Sequence, residues 1–134
     1  LRGGKFSMKD EVIEWVQKAE ADYQAARVLL RQRKTLLPDN ICWSCQQSAE
    51  KYLKAYLVRH GIDYPRRHDL VQLGTLCADV DADFALVADV IATLDQFGTD
   101  IRYPGVSATM QDARQAFHAL KQLRAFVRAK LGIA

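Results

Sequence analysis

A chain of 134 residues is long enough to bury one hydrophobic core without disulfide or metal staples, and too short for two ordinary domains. With 49% apolar and 26% charged residues it has the composition of a water-soluble globule, and no apolar run approaches the roughly 20 residues of a membrane-spanning helix. The formal charge of +3 falls almost to neutral without Arg2 and Lys5, so a general electrostatic appetite for nucleic acid has no support. Those two residues belong to Leu1 through Ser7, which precede the first Met, lack the apolar core of a signal peptide and read as an expression remnant. The expected domain is therefore residues 8–134.

The first helix is expected from about Lys9 to Arg33. Val12, Val16, Ala19, Tyr23, Ala26 and Leu30 recur at alternating steps of four and three, the spacing of a bundle seam. Asp22 falls at the edge of that stripe, where a carboxylate needs a hydrogen-bond partner on a neighbouring helix. Thr35 to Pro38 is a loop. A second helix, Asp39 to Gly61, places Cys42, Cys45, Ala49, Leu53, Tyr56 and His60 on one small, apolar or aromatic side, with Gln47, Lys51 and Lys54 on an opposite side expected to face water. Asp39 is the expected N-cap and Gly61 the stop, and Glu50 with Lys54 has the spacing of an i,i+4 ion pair.

Ile62 to His68 is a polar loop that Pro65 keeps extended. Leu70, Leu73, Cys77 and Val80 make a short third helix, the Asp-rich turn Asp79 to Asp83 breaks it, and Phe84, Val87, Ile91 and Leu94 make a fourth that Gly98 ends. A second loop, Thr99 to Val106, leads to a last helix capped by Ser107 or Thr109, with Met110, Ala113, Phe117, Leu120, Leu123, Val127 and Leu131 as its core face. The pattern is all-α, an up-and-down bundle of four or five helices with no strand signal and no internal repeat.

Charge is unevenly divided. Seven acids and no Lys or Arg lie between His68 and Ile101, whereas five basic residues and no acid follow Asp112. Attraction between the fourth and fifth helices, or between protomers, accounts for this; a nucleic-acid footprint on Arg114, Lys121 and Arg128, which share a stripe, is the sharper alternative. Cys42-Trp43-Ser44-Cys45 has redox-motif spacing near a helix start. However, no strand precedes it, both cysteines adjoin the apolar arc, and Cys77 alone cannot complete a four-cysteine zinc site. The three cysteines therefore read as core residues of a cytoplasmic protein in a reducing compartment. No Gly-rich phosphate loop, paired-carboxylate metal motif or nucleophile elbow is present, and neither cofactor nor metal is expected.

If short connections make neighbouring helices antiparallel, the loops after helices two and four meet at one end of the bundle. Tyr64, Arg66, Arg67 and His68 then approach Asp100, Arg102 and Tyr103, where the starts of helices three and five present free N–H groups. Such an end suits a phosphate, and the tyrosines offer flat surfaces for a base. In the alternative, structural reading Arg102 pairs with Asp100 or Asp95, His68 caps its helix and the tyrosines pack. Trp43, off the core arc, and the long, narrow shape of the bundle point to self-association.

Gln46-Gln47-Ser48-Ala49-Glu50-Lys51-Tyr52-Leu53-Lys54-Ala55-Tyr56-Leu57, then His68-Asp69-Leu70, then Arg102-Tyr103-Pro104 resemble the successive signatures of the HEPN family (higher eukaryotes and prokaryotes nucleotide-binding domain). The similarity runs over nearly everything from Met8 onward. It implies an all-helical bundle, commonly a homodimer, that works beside a minimal nucleotidyltransferase or acts on RNA. Many HEPN proteins that cut RNA carry an Arg followed, after four to six residues, by a His. Here Arg102 is followed by Tyr, Pro, Gly, Val, Ser, Ala and Thr, and only three residues separate Arg114 from His118. The motif is absent. The expectation is a non-catalytic domain that dimerises and binds a nucleotide or RNA phosphate, with a nucleotidyltransferase partner and no membrane contact. A metal-independent, toxin-like ribonuclease, with His68 or another residue standing in for the missing histidine, is the alternative, and a purely structural interaction module is the third reading.

Overall fold

The structure, a computed structural model, describes residues 7–98, 101 and 103–134. It contains α1 (Met8–Leu30), α2 (Pro38–Arg59), α3 (Leu70–Val80), a 3-10 segment (Ala82–Val87), α4 (Ala88–Asp95) and α5 (Met110–Leu131), and no strand among the described residues. None of these helices is long and apolar enough to cross a membrane.

α1 begins where the Ser7 hydroxyl accepts the Asp10 N–H at 3.1 Å, so a residue grouped with the leading segment is in fact the N-cap. Its buried seam is Val12, Val16, Ala19 and Ala26. α2 is the central helix and is buried nearly all round, from Ile41 and Cys42 to Tyr56 and Leu57, with Gln46 and Ser48 also inside. The expected water-facing side is only half exposed. Lys51 pairs with Asp22 of α1, as the position of Asp22 demanded, and Lys54 is held among aromatic rings described below. Small residues make this closeness possible: the Ser48 hydroxyl donates to the Ala19 carbonyl at 2.8 Å, a bond from a short side chain of α2 to the backbone of α1 that a larger side chain would prevent. Trp43, expected off the core arc, is half-buried and packs against the core.

Asp39 does not cap α2. Pro38 occupies the first turn, where its missing N–H is no loss, and the Asp39 carboxylate instead accepts the Ala108 N–H at 2.6 Å, tying the start of α2 to the approach of α5. At the other end Gly61, at φ +65, closes a Schellman turn: its N–H reaches the Val58 carbonyl at 3.0 Å and that of Ile62 reaches Leu57 at 2.9 Å. Gly74 has a different purpose, since a Cβ there would stand 2.9 Å from Ile91 Cδ1. Any side chain at this position would require Ile91 of α4 to shift.

α2 and α5 run parallel, joined by Asp39 and Ala108 at one end and by Arg59 donating to the Leu131 carbonyl at the other. The expectation that every neighbour is antiparallel fails at α3. Residues 60–69 are long enough to turn back along α2, so α3 starts beside Glu50 and runs in the same direction as α2, with the Cys77 thiol meeting the Leu53 carbonyl. The expected fourth helix is also divided, because the Asp81 carboxylate caps a 3-10 segment by accepting from Asp83 N–H. That segment buries Phe84 between the rings of Tyr56 and Phe126, with centroids at 4.6 and 5.0 Å. Lys130 of α5 bridges Asp81 and Asp83, so part of the charge asymmetry is indeed attraction onto the fifth helix.

Candidate functional site

The loop between α2 and α3 is laid against one turn of α2. The ammonium group of Lys54 stands 5.2 Å from the ring centres of both Trp15 and Tyr64, a cation held between two π faces. The Glu50 carboxylate accepts from Lys54 at 3.5 Å and faces His68 Nε2 at 3.3 Å, while His68 Nδ1 lies 2.7 Å from the Pro65 carbonyl oxygen. The His68 side chain is 7% exposed. Tyr64 packs edge-on to His68, with centroids 5.6 Å apart, and its phenol is pushed above its usual range by burial, then by Glu11 and Glu50. Beside this cluster, between α1 and α2, a cleft of about 600 Å³ is lined by Glu11, Glu14, Trp15, Lys18 and Lys51.

The expected phosphate ligands thus fall into different environments. His68 and Tyr64 anchor the loop, and both His68 ring nitrogens already have partners. Arg66 and Arg67, between them, are exposed and meet no carboxylate among the described residues. Tyr103 is 62% exposed. Arg102 and Asp100 lie outside the described residues. Among the described residues, the elements flanking the two loops are joined where the Asp95 carboxylate, at the end of α4, accepts the Leu70 N–H at 3.0 Å; burial raises its carboxyl above the usual range, and Asp69 adds to this.

The two helix starts expected to face one phosphate stand apart. α5 begins at the level of Asp39 and α3 at the level of Glu50, eleven residues or about 16 Å along α2. Both starts also hold acids already. Asp69 and Gln72 form a capping box on α3, so Asp69 rather than His68 caps that helix. Thr109 and Asp112 form another on α5.

Sequence reasoning missed two clusters. At the end of the bundle where α2 and α5 begin, Arg31, Arg33 and Lys34 of the α1–α2 turn and Arg114 of α5 are exposed without an acidic partner among the described residues, and the carboxylates of Asp39 and Asp112 there accept backbone N–H groups. The contiguous Arg31-Gln32-Arg33-Lys34 was the available signal. The second cluster is internal. Arg124 binds Glu20 through two bonds of 2.8 and 2.7 Å, the Tyr52 hydroxyl donates to Glu20 at 2.6 Å, and Arg128 donates to Tyr52 at 3.2 Å and to the Ala134 carbonyl. Arg124 further covers the Tyr23 ring at 4.3 Å. The Arg124 guanidinium holds the Glu20 carboxyl down at about 2, against the opposing effect of burial. Arg128 is therefore engaged inside the fold, and the expected stripe with Arg114 and Lys121 is interrupted.

Catalytic groups are sparse. His118 is exposed without a partner among the described residues, and His60 is exposed against the ring of Tyr56 at 4.5 Å. Cys42, Cys45 and Cys77 are unbridged and buried; burial pushes the thiols of Cys42 and Cys77 up to about 12 and that of Cys45 higher, the opposite of a reactive thiolate. Among the described residues no group of three His, Cys, Asp or Glu side chains could hold a metal.

The HEPN domain family matches residues 12–130. Comparison with curated proteins returns no significant match. Among solved structures, TT1696 from Thermus thermophilus superposes with a TM-score of 0.71 at 21% identity, over 89% of this chain and 97% of that one. ST0689, described as an archaeal HEPN homologue, gives 0.67 at 26% identity over 89% and 96%.

Proposed function

Because the chain belongs to the HEPN family, we propose that it is a non-catalytic member that binds a nucleotide or RNA phosphate through the loop between α2 and α3, as a homodimer and beside a minimal nucleotidyltransferase. The observation that carries the ligand is the contrast within one loop. Gly61 and His68 pin its two ends, while Arg66 and Arg67 between them project without acidic partners among the described residues. Pinned ends lower the ordering cost of binding, and an arginine matches the two-oxygen geometry of a phosphate. In this proposal Tyr64 and His68 position the loop, while Arg102 and Tyr103 contribute from the second loop. The nucleotidyltransferase partner rests on family membership alone.

Titration of ADP, ATP and a short RNA into wild type, Arg66→Ala, Arg67→Ala and Arg102→Ala tests the site. Each arginine lost should weaken binding about five- to tenfold, just below the ~1.5 kcal/mol of the weaker charge-assisted bonds, because the loop is exposed and screened. Arg114→Ala, in the first turns of α5 and away from the α2–α3 loop, is the control; if it alone loses affinity, the ligand belongs to the basic end instead. Purified protein should leave RNA intact without metal, and cleavage abolished by His68→Ala would replace this reading with the ribonuclease.

A further inference from the structure

We propose that the outer face of α1 is where two copies of this chain join, packed antiparallel about a two-fold axis that crosses the helix between Glu20 and Ala21. This identifies the surface of the homodimer invoked above and rests on that part of the reading.

The inner faces of α1 are occupied: its seam is buried, and Glu20 is turned to Arg124. The outermost line, at steps of three and four residues, runs from Ile13 through Gln17, Ala21 and Gln24 to Val28 and carries no charge. A solvated helix face normally carries charges, and the flanks of α1 do, at Glu11, Glu14, Lys18 and Arg27; Glu14, on the side of Ala21, is paired with Lys18 at 3.9 Å. Ile13 is 46% and Val28 57% exposed. One turn beyond each end of this line stands a single charge, Asp10 before it and Arg31 after it, and neither side chain has a partner among the described residues.

The order of these residues selects the partner. Antiparallel packing about the stated axis brings Asp10 against the second copy's Arg31, Ile13 against Val28 and Gln17 against Gln24, each contact occurring twice, as a self-complementary surface requires. Parallel packing would set like charges together. Ala21 lies beside the axis, where a small side chain permits close helix approach. The amides of Gln17 and Gln24 can each donate and accept, and the contacts Gln24 makes to Glu20 and Arg27 within its own chain are long, at 3.4 Å. Next to Ile13 an apolar groove of about 610 Å³, lined in part by Met8, Val12, Leu131 and Ile133, lies where the second copy's Val28 would arrive.

Sedimentation velocity of the full chain, from about 1 to 200 µM, reads the result. Wild type should show concentration-dependent dimer, and Ala21→Glu, which sets two carboxylates beside the axis, should weaken it by about 100-fold. Asp10→Arg and Arg31→Asp should each weaken it about tenfold, and the double variant should return to within about threefold of wild type, because every contact re-forms with its signs reversed. Circular dichroism melts check that these exposed substitutions leave the fold intact. Should Ala21→Glu unfold the chain, Ala21→Cys joined to its second copy by a short bismaleimide gives the same answer, the native thiols being buried. A dimer indifferent to Ala21→Glu, a double variant without rescue, or failure of Ala21→Cys to cross-link a dimeric chain overturns the surface and leaves the homodimer standing. Wild type that stays monomeric throughout overturns both.

Discussion

α5 treats its cations in two ways along its length. Near its start Arg114 projects into water, close in the fold to Arg31, Arg33 and Lys34, which have no acidic partner among the described residues; towards its end Arg124, Arg128 and Lys130 are all engaged, by Glu20, by Tyr52 and Ala134, and by Asp81 with Asp83. As sequence, the two halves look alike. They differ because the later turns lie against α1, α2 and the acidic 3-10 segment, which supply acceptors, whereas the acids near the first turns are already bound to backbone N–H groups. A cation is structural where a neighbouring helix brings it an acceptor, and free for a ligand where none does.

The comparison depends on the core that sets the helix positions, so truncating its centre has the largest expected effect. Leu53→Ala should cost about 2 to 4 kcal/mol, since Leu53 is fully buried on α2; a loss under about 1 kcal/mol in urea titration would mean that α2 is not the centre. Arg124→Ala should cost about 2 to 3 kcal/mol, because the partly buried Glu20 carboxylate loses two charge-assisted bonds and keeps the Tyr52 hydroxyl and, at 3.8 Å, Arg128. Arg114→Ala should stay within about 0.5 kcal/mol. Equal losses at the two arginines would abolish the distinction between the halves of α5.

Acid should expose the same difference. Glu20 titrates lower in the folded chain, at about 2, than at its ordinary value of 4.5, so its contribution is complete above about pH 4.5 and is lost as pH falls towards 2. Urea midpoints should therefore drop between about pH 5 and 2.5 more steeply in wild type than in Glu20→Gln. Parallel curves would remove Glu20 from the stabilising network. The smallest expected signal is a null one. With three buried cysteines, native protein should react with a thiol reagent only as fast as it opens, and guanidinium should release all of them together. Rapid native labelling of Cys42 or Cys45 would restore the redox reading.

The periodic signals were local, and the chain alone determined them: the seam of α1, the apolar face of α5, the Gly61 stop, the inward Cys42 and Cys45 and the need of Asp22 for a partner all follow from spacing within one or two helical turns. The resemblance carried by Gln46 to Leu57, His68 to Leu70 and Arg102 to Pro104 likewise led to the family that residues 12–130 match. Contacts across the fold were decided by tertiary structure. Glu20 meets Arg124, Asp39 meets Ala108 and His68 meets Glu50 across long stretches of sequence, the last of them because residues 60–69 turn back along α2 and set α3 parallel to it. That reversal depends on the length and packing of a loop, which no helical period records. It separates the two helix starts that the sequence would have joined around one phosphate, and it divides the loop itself into anchors, Tyr64 and His68, and the free Arg66 and Arg67.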